Sequence, residues 1–188
     1  MSTPTPQRIV ARTAEIGGTL PVNRVLPTRQ RRQIGAWCFL DHAGPARFES
    51  GDGMHVGAHP HTCLQTFTWM IEGDVLHRDS LGNEGRTVAG DVQGMSAGTG
   101  ITHAEYNLED EQTTLFQIWI IPDRTGDKPG WGQRAFPKAT REGGFEVLAS
   151  GTPDVDNALP IRTDAKVAAT TLSPGQTAVW TPSPDRHQ

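Results

Sequence analysis

Glycine and proline punctuate this chain so closely that only short extended elements fit between them. There are 21 glycines and 14 prolines in 188 residues. Proline removes a backbone donor and glycine carries the largest entropy cost in a regular element, so a long helix does not survive this density of breakers. The segments between the breakers are β-branched and aromatic. Thr114–Ile121 (Thr-Leu-Phe-Gln-Ile-Trp-Ile-Ile) is the most β-prone of them, and Pro122 stops it. Further strands are expected at Ile9–Ala14, Val22–Leu26, Ala36–Leu40, Phe67–Ile71, Val75–Arg78, Thr87–Ala89, Asp91–Met95 and Thr102–Tyr106. Asp41–Gly53 reads as a loop, and Asp79–Asn83 as a turn in which Gly82 or Asn83 takes positive φ. Roughly six to eight strands between residues 34 and 121, spaced at about 8–12 residues, predict an all-β fold, a small antiparallel barrel or jelly roll.

Charge and composition narrow the function. The net charge is −4 and the pI about 5.9, which speaks against direct nucleic-acid binding and against an anionic membrane surface. The basic run Arg29–Arg32 is expected to be a solvated turn. No apolar run approaches the ~18 residues of a membrane span, and the polar opening Met1–Gln7, expected to fray, lacks the apolar core of a signal peptide. Two cysteines, Cys38 and Cys63, make no disulfide framework and fit a cytoplasmic location. Residues 123–143 read as an extended linker. Phe145–Ala149, Lys166–Leu172 and Thr177–Trp180 are candidate strands beyond it, and no helix longer than a turn or two is expected.

Seven histidines are present, at 42, 55, 59, 61, 77, 103 and 187. On a strand, residues i and i+2 share a face, so His59 and His61 project together, as do His103 and Glu105. Two such strands facing each other would bring three imidazoles and a carboxylate onto one ion. That donor set suits Fe(II), Mn(II), Ni(II), Cu(II) or Zn(II) and suits Ca(II) poorly. On a six-coordinate metal it leaves two positions open. His77 is expected in a hydrogen-bonding structural role, and His42 and His55 as loop histidines, His55 near the metal mouth. Phe67 and Trp69 share the odd parity of the ligands and are expected to line the barrel, with the apolar wall of an aromatic-substrate pocket as the alternative role. Trp37, Trp119, Trp131 and Trp180 read as packing residues.

Three stretches carry a specific resemblance: Gly57–Thr66 around His59-Pro60-His61, the run His77-Arg78-Asp79-Ser80-Leu81-Gly82, and Met95-Ser96-Ala97-Gly98-Thr99-Gly100-Ile101-Thr102-His103-Ala104-Glu105. Together with Phe39-Leu40-Asp41-His42 and Gly44-Pro45, they resemble the pirin family of the cupin superfamily over about residues 20–122 and more faintly to 180. The resemblance implies a cupin-type barrel with His59, His61, His103 and Glu105 as metal ligands, usually of iron. It implies that Gln65, at the glutamate position of the general first cupin motif, need not be a ligand. Several bacterial pirins act as quercetin 2,3-dioxygenases, and the animal member is described as an iron-dependent nuclear transcription co-regulator. The expectation is thus a metal-dependent dioxygenase acting with O₂ on a flavonol or related enolic aromatic, with Glu105 as both ligand and base. A regulatory, protein-binding module without turnover is the alternative, and an intact pocket for another small molecule a third reading.

Two departures from the family stand out. Cys63 replaces a common glycine two residues after His61 and is expected to fill that site as a small buried residue; its odd parity, which places it on the ligand face, makes a soft extra ligand or an oxidation-sensitive neighbour of the metal the alternative. Pirins carry two consecutive cupin barrels, whereas residues 126–188 are too few for a second. The expected organisation is therefore a pirin-like barrel over 1–125, then a linker and an incomplete cupin-like segment over 126–188. Unpaired edges and apolar residues such as Val167, Leu172 and Val179 would leave that segment either folded back onto the barrel or paired in a homodimer, and the homodimer is the favoured expectation.

Overall fold

The computed structural model describes residues 7–16, 20–48, 53–107 and 112–181. The expectation for Met1–Gln7 falls almost wholly outside them, as does His187. In chain order the strands are β1 (Arg12–Ile16), β2 (Leu20–Leu26), β3 (Trp37–Ala46), β4 (His55–His61), β5 (Gln65–Glu72), β6 (Asp74–Asp79), β7 (Glu84–Val88), β8 (Val92–Ser96), β9 (Ile101–Tyr106), β10 (Thr113–Ile120), β11 (Gly130–Arg134), β12 (Glu146–Ser150), β13 (Leu159–Pro160) and β14 (Lys166–Ala169). Among the described residues the helical content is one turn of α-helix, Pro153–Asp156, and one of 3₁₀-helix, Lys138–Arg141.

Two antiparallel sheets face each other, as an all-β cupin barrel requires. The larger runs β1-β2-β3-β10-β5-β8-β11 and the smaller β4-β9-β6-β7. Strand β10 lies between β3 and β5, and its alternation sorts side chains to two environments. Leu115, Gln117 and Trp119 pair with Met70, Thr68 and Thr66; Phe116 and Ile118 pair with Trp69 and Phe67. Leu115 and Met70 join Leu20, Val22, Phe48, Met54 and Val75 in an apolar cluster between the sheets. Further along the same strands the apolar residues give way to Thr68, Gln117 and His77. The barrel is therefore oily at one end and polar beyond it.

The other face of the larger sheet is covered by the chain's own C-terminal segment. Strands β13, β12 and β14 form a three-stranded sheet. Its Leu148, Ala149, Leu159 and Ala169 pack with Phe67, Val92, Ile120 and Phe136 into a second apolar cluster. Each fully buried aliphatic or aromatic side chain there contributes about 1.5–3 kcal/mol. Polar ties reinforce the contact: the Gln65 amide donates to Thr163 Oγ1 (2.9 Å), whose hydroxyl donates to the Ile121 carbonyl (2.8 Å).

Several sequence expectations are corrected. The Asp41–Gly53 loop is shorter, because β3 continues to Ala46 against β2 and β10. The stretch 123–143, expected as a linker, contains β11, which is hydrogen-bonded to β8 at the edge of the barrel sheet. Residues 177–180 form no strand; the third strand of the C-terminal sheet is the two-residue β13, parallel to β12. Val167 packs against the second apolar cluster, so the fold-back arrangement accounts for it, while Leu172 and Val179 stay exposed. Gly82 takes the positive φ expected in its turn.

Candidate metal centre

Strands β4 and β9 are antiparallel neighbours, with His59 directly opposite His103 and His61 opposite Ile101. A bulge between Val56 and His59 sets this register, and bulges commonly re-aim side chains beside functional sites. The three rings form a triangle, with centroids 4.4 Å apart for His59–His103, 4.9 Å for His59–His61 and 5.0 Å for His61–His103. One nitrogen from each lies within 4.8 Å of the others, a separation that a small inward shift would close onto one ion.

The remaining nitrogens are engaged in ways that leave this set ready for a cation. His59 Nδ1–H donates to the Gly57 carbonyl at 2.8 Å, which leaves Nε2 with its lone pair. His103 Nδ1 lies 3.3 Å from His77 Nδ1, and His103 Nε2 is buried without a hydrogen-bond partner. A buried orphan nitrogen costs about 1–3 kcal/mol in a purely structural histidine, whereas coordination would satisfy it. Burial and the neighbouring His59, His77 and His61 push the His103 imidazole down to about 3, and burial followed by His59 lowers His61. Both rings are thus neutral at pH 7, the form that binds metal.

Glu105 sits one inward position beyond His103 on β9, opposite His77 of β6. Its carboxylate accepts from Gln93 Nε2 at 2.8 Å, and burial raises it to about 7 against the lowering effect of that hydrogen bond. The structure groups Glu105 with His77 and His103, whereas His59 and His61 group with His103 alone. Three of the four expected ligands therefore converge, and Glu105 stands beside them on the same face of β9. The second grouping does not offer three free donors, because His77 Nε2 is taken by Asp79 Oδ2 (3.1 Å) and its Nδ1 by His103.

The expected aromatic wall is on the wrong side. Phe67 and Trp69 point away from the ligands into the C-terminal cluster, and Thr66 and Thr68 take the inward positions. Parity cannot be carried from β4 to β5 because the Thr62–Leu64 turn reverses it. The aromatic pair beside the histidines is Trp119, edge-on to His61 at 5.1 Å, with Phe39 stacked on it at 4.3 Å. Trp131 was also missed: it lies parallel to His77 (5.0 Å, 8°), and its Nε1–H donates to Gln93 Oε1 at 3.2 Å. Neither tryptophan carries a motif, so only their places in β10 and β11 reveal them. His42 is a β3 residue against Phe116, and His55 begins β4 against Tyr106, so neither is a loop histidine. Gln65 serves the C-terminal segment, as its bond to Thr163 requires.

Comparison with known proteins gives the family. The pirin family profile matches residues 19–120, more than half of the chain. The chain belongs to the pirin family. Among curated relatives, a Pseudomonas aeruginosa protein named "Putative quercetin 2,3-dioxygenase PA1210" is 62% identical, with 76% of this pirin and 66% of that protein covered. A pirin-like protein of Caulobacter vibrioides is 55% identical over 68% of this chain and 55% of its own. The crystal structure of the Escherichia coli pirin YhhW in complex with nickel(II) superposes with a TM-score of 0.71 at 32% identity, covering 84% of this chain and 66% of that one. This pirin chain thus spans under two thirds of the length of the curated relatives named here.

Cys63 in this pirin occupies a left-handed position, φ +64°, in the turn after β4. That backbone explains why glycine suits the site. The thiol is exposed and belongs to neither group of potential ligands, so its expected buried role and its alternative place on the ligand face are both corrected. Cys63 should react with a maleimide or an aromatic disulfide reagent at the same rate with and without bound metal. Marked protection on metal loading, followed by absorbance, would restore the ligand reading.

Proposed function

We propose that this chain carries the metal centre of a pirin-type dioxygenase, with His59, His61, His103 and Glu105 as ligands and iron as the ion. The substrate class is a flavonol or related enolic aromatic that reacts with O₂. The observation that carries this reading is the convergence of three imidazoles, one with a buried and unpartnered nitrogen, beside a carboxyl raised by burial to about 7. A bound transition metal would supply Lewis acidity toward an enolic oxygen and a redox centre for O₂ chemistry. The chain's residues supply the rest. Glu105, raised to about 7, can accept the enolic proton at its carboxylate near physiological pH, and Gln93 holds that carboxylate in place. Trp119 and Phe39 offer an aromatic surface at the edge of His61 for a planar substrate.

The test is O₂ uptake by iron-loaded protein given quercetin. Uptake stoichiometric with flavonol loss is expected, and Glu105→Gln should lower it at least ~100-fold, the scale of losing a positioned base. Fully loaded protein that is inert toward a panel of flavonols would instead support the metal-bearing regulatory module.

A further inference from the structure

His77 and Asp79 form an i, i+2 pair on the inward face of β6. Their side chains are almost completely buried, at 1% and 0% exposure. Asp79 is fixed as an acceptor. Its Oδ1 receives the backbone N–H of Leu81 (2.9 Å) and of Asn83 (3.0 Å), and its Oδ2 receives the Asn83 amide (2.9 Å). With three N–H groups already donating to its two oxygens, the carboxylate is an acceptor toward His77 as well. The proton between Asp79 Oδ2 and His77 Nε2 therefore sits on His77 Nε2, and in the neutral ring His77 Nδ1 is bare. The contact of 3.3 Å between His77 Nδ1 and His103 Nδ1 then requires a proton on His103 Nδ1. The His103 lone pair is left on Nε2, the buried nitrogen with no protein partner.

We propose that Asp79 and His77 are positioning residues that lock His103 in the tautomer whose lone pair sits on Nε2, the nitrogen with no protein partner and so the one free for a metal shared with His59 and His61. This presupposes the metal reading above. Strand β9 supplies the metal-binding imidazole, β6 dictates which of its nitrogens keeps the lone pair, and the stacked Trp131 holds the His77 plane. Such outer hydrogen bonds typically carry 10–100-fold in metal affinity.

Asp79→Asn is the informative variant because it keeps the shape and can reverse the polarity. If the amide oxygen stays with the Leu81 and Asn83 N–H groups, the NH₂ faces His77 Nε2. That donor forces the proton to His77 Nδ1 and then to His103 Nε2, where the metal would bind. Long-range ¹H–¹⁵N spectra of the metal-free full chain should show His103 protonated at Nδ1 in the parent and at Nε2 in Asp79→Asn. The Ni(II) affinity by calorimetry should fall about 10–100-fold. Arg78→Ala, on the outward face of the same strand, should change neither. An Nε2–H tautomer of His103 in the parent protein overturns the relay whether or not the variant folds. So does an Asp79→Asn protein with unchanged tautomer and Ni(II) affinity within about twofold of the parent, since the expected loss is larger. A parent protein with the expected tautomer that takes up no Ni(II) defeats the metal-centre reading itself, and the relay's purpose with it.

Discussion

His103→Ala is expected to abolish stoichiometric metal binding while leaving the metal-free fold largely intact. His103 is the shared member of both potential ligand groups and the residue whose Nε2 has no other partner. Its loss leaves His59 and His61 on β4 and Glu105 on β9, one donor short of the four an ion of this kind prefers, and removes the imidazole that joins the two groups. An affinity loss beyond ~100-fold follows, larger than the loss of an outer hydrogen bond. Metal analysis after dialysis gives the first readout. The second is thermal: at Ni(II) a hundredfold above the parent's dissociation constant, the parent should gain about 2.7 kcal/mol of stability, and the variant no more than about 0.4 kcal/mol. His42→Ala and His55→Ala, whose rings pack on Phe116 and Tyr106, should behave like the parent. Near-parental metal content and a full thermal shift in His103→Ala would remove this residue from the centre.

Trp131→Ala is expected to destabilise the fold by about 2–3 kcal/mol, below the ~3–5 kcal/mol of truncating a fully buried aromatic because the indole is only partly buried. Trp131 packs with Met95, Ala97 and Ile101, stacks on His77, and donates to the Gln93 side chain that in turn holds Glu105. Its removal should therefore lower stability and metal affinity together. A second route to the same residue is Gly85→Ala. A Cβ at Gly85 would lie 2.1 Å from Trp131 Cη2 and 2.8 Å from Cζ2, so the indole must move. Overpacking of this kind costs about 1–3 kcal/mol. Urea unfolding followed by tryptophan fluorescence, with calorimetric Ni(II) titration alongside, measures both effects. A stable Trp131→Ala protein that binds Ni(II) normally would show that β11 only covers the barrel edge.

The expected results separate two kinds of information. The pairs His59/His61 and His103/Glu105 were legible because a strand's side-chain period is two. That rule is local, so it needs no knowledge of neighbours. The breaker spacing likewise dictated short strands and an all-β barrel. The sequence by itself could not say which face of β5 is inward. The turn at Thr62–Leu64, with Cys63 at positive φ, reverses the parity, so Phe67 and Trp69 lie under the C-terminal sheet instead of beside the ligands. Nor could it say that Gly130–Arg134 is a strand, since its pairing to β8 is a contact between segments more than thirty residues apart. The meeting of His77 with His103 has the same origin: β6 and β9 are adjacent only because the smaller sheet orders them so. Local periodicity sets the direction of a side chain within its own strand. Register, strand order and loop geometry decide which side chains then meet, and they follow from burying two apolar clusters at once, a condition on the whole chain.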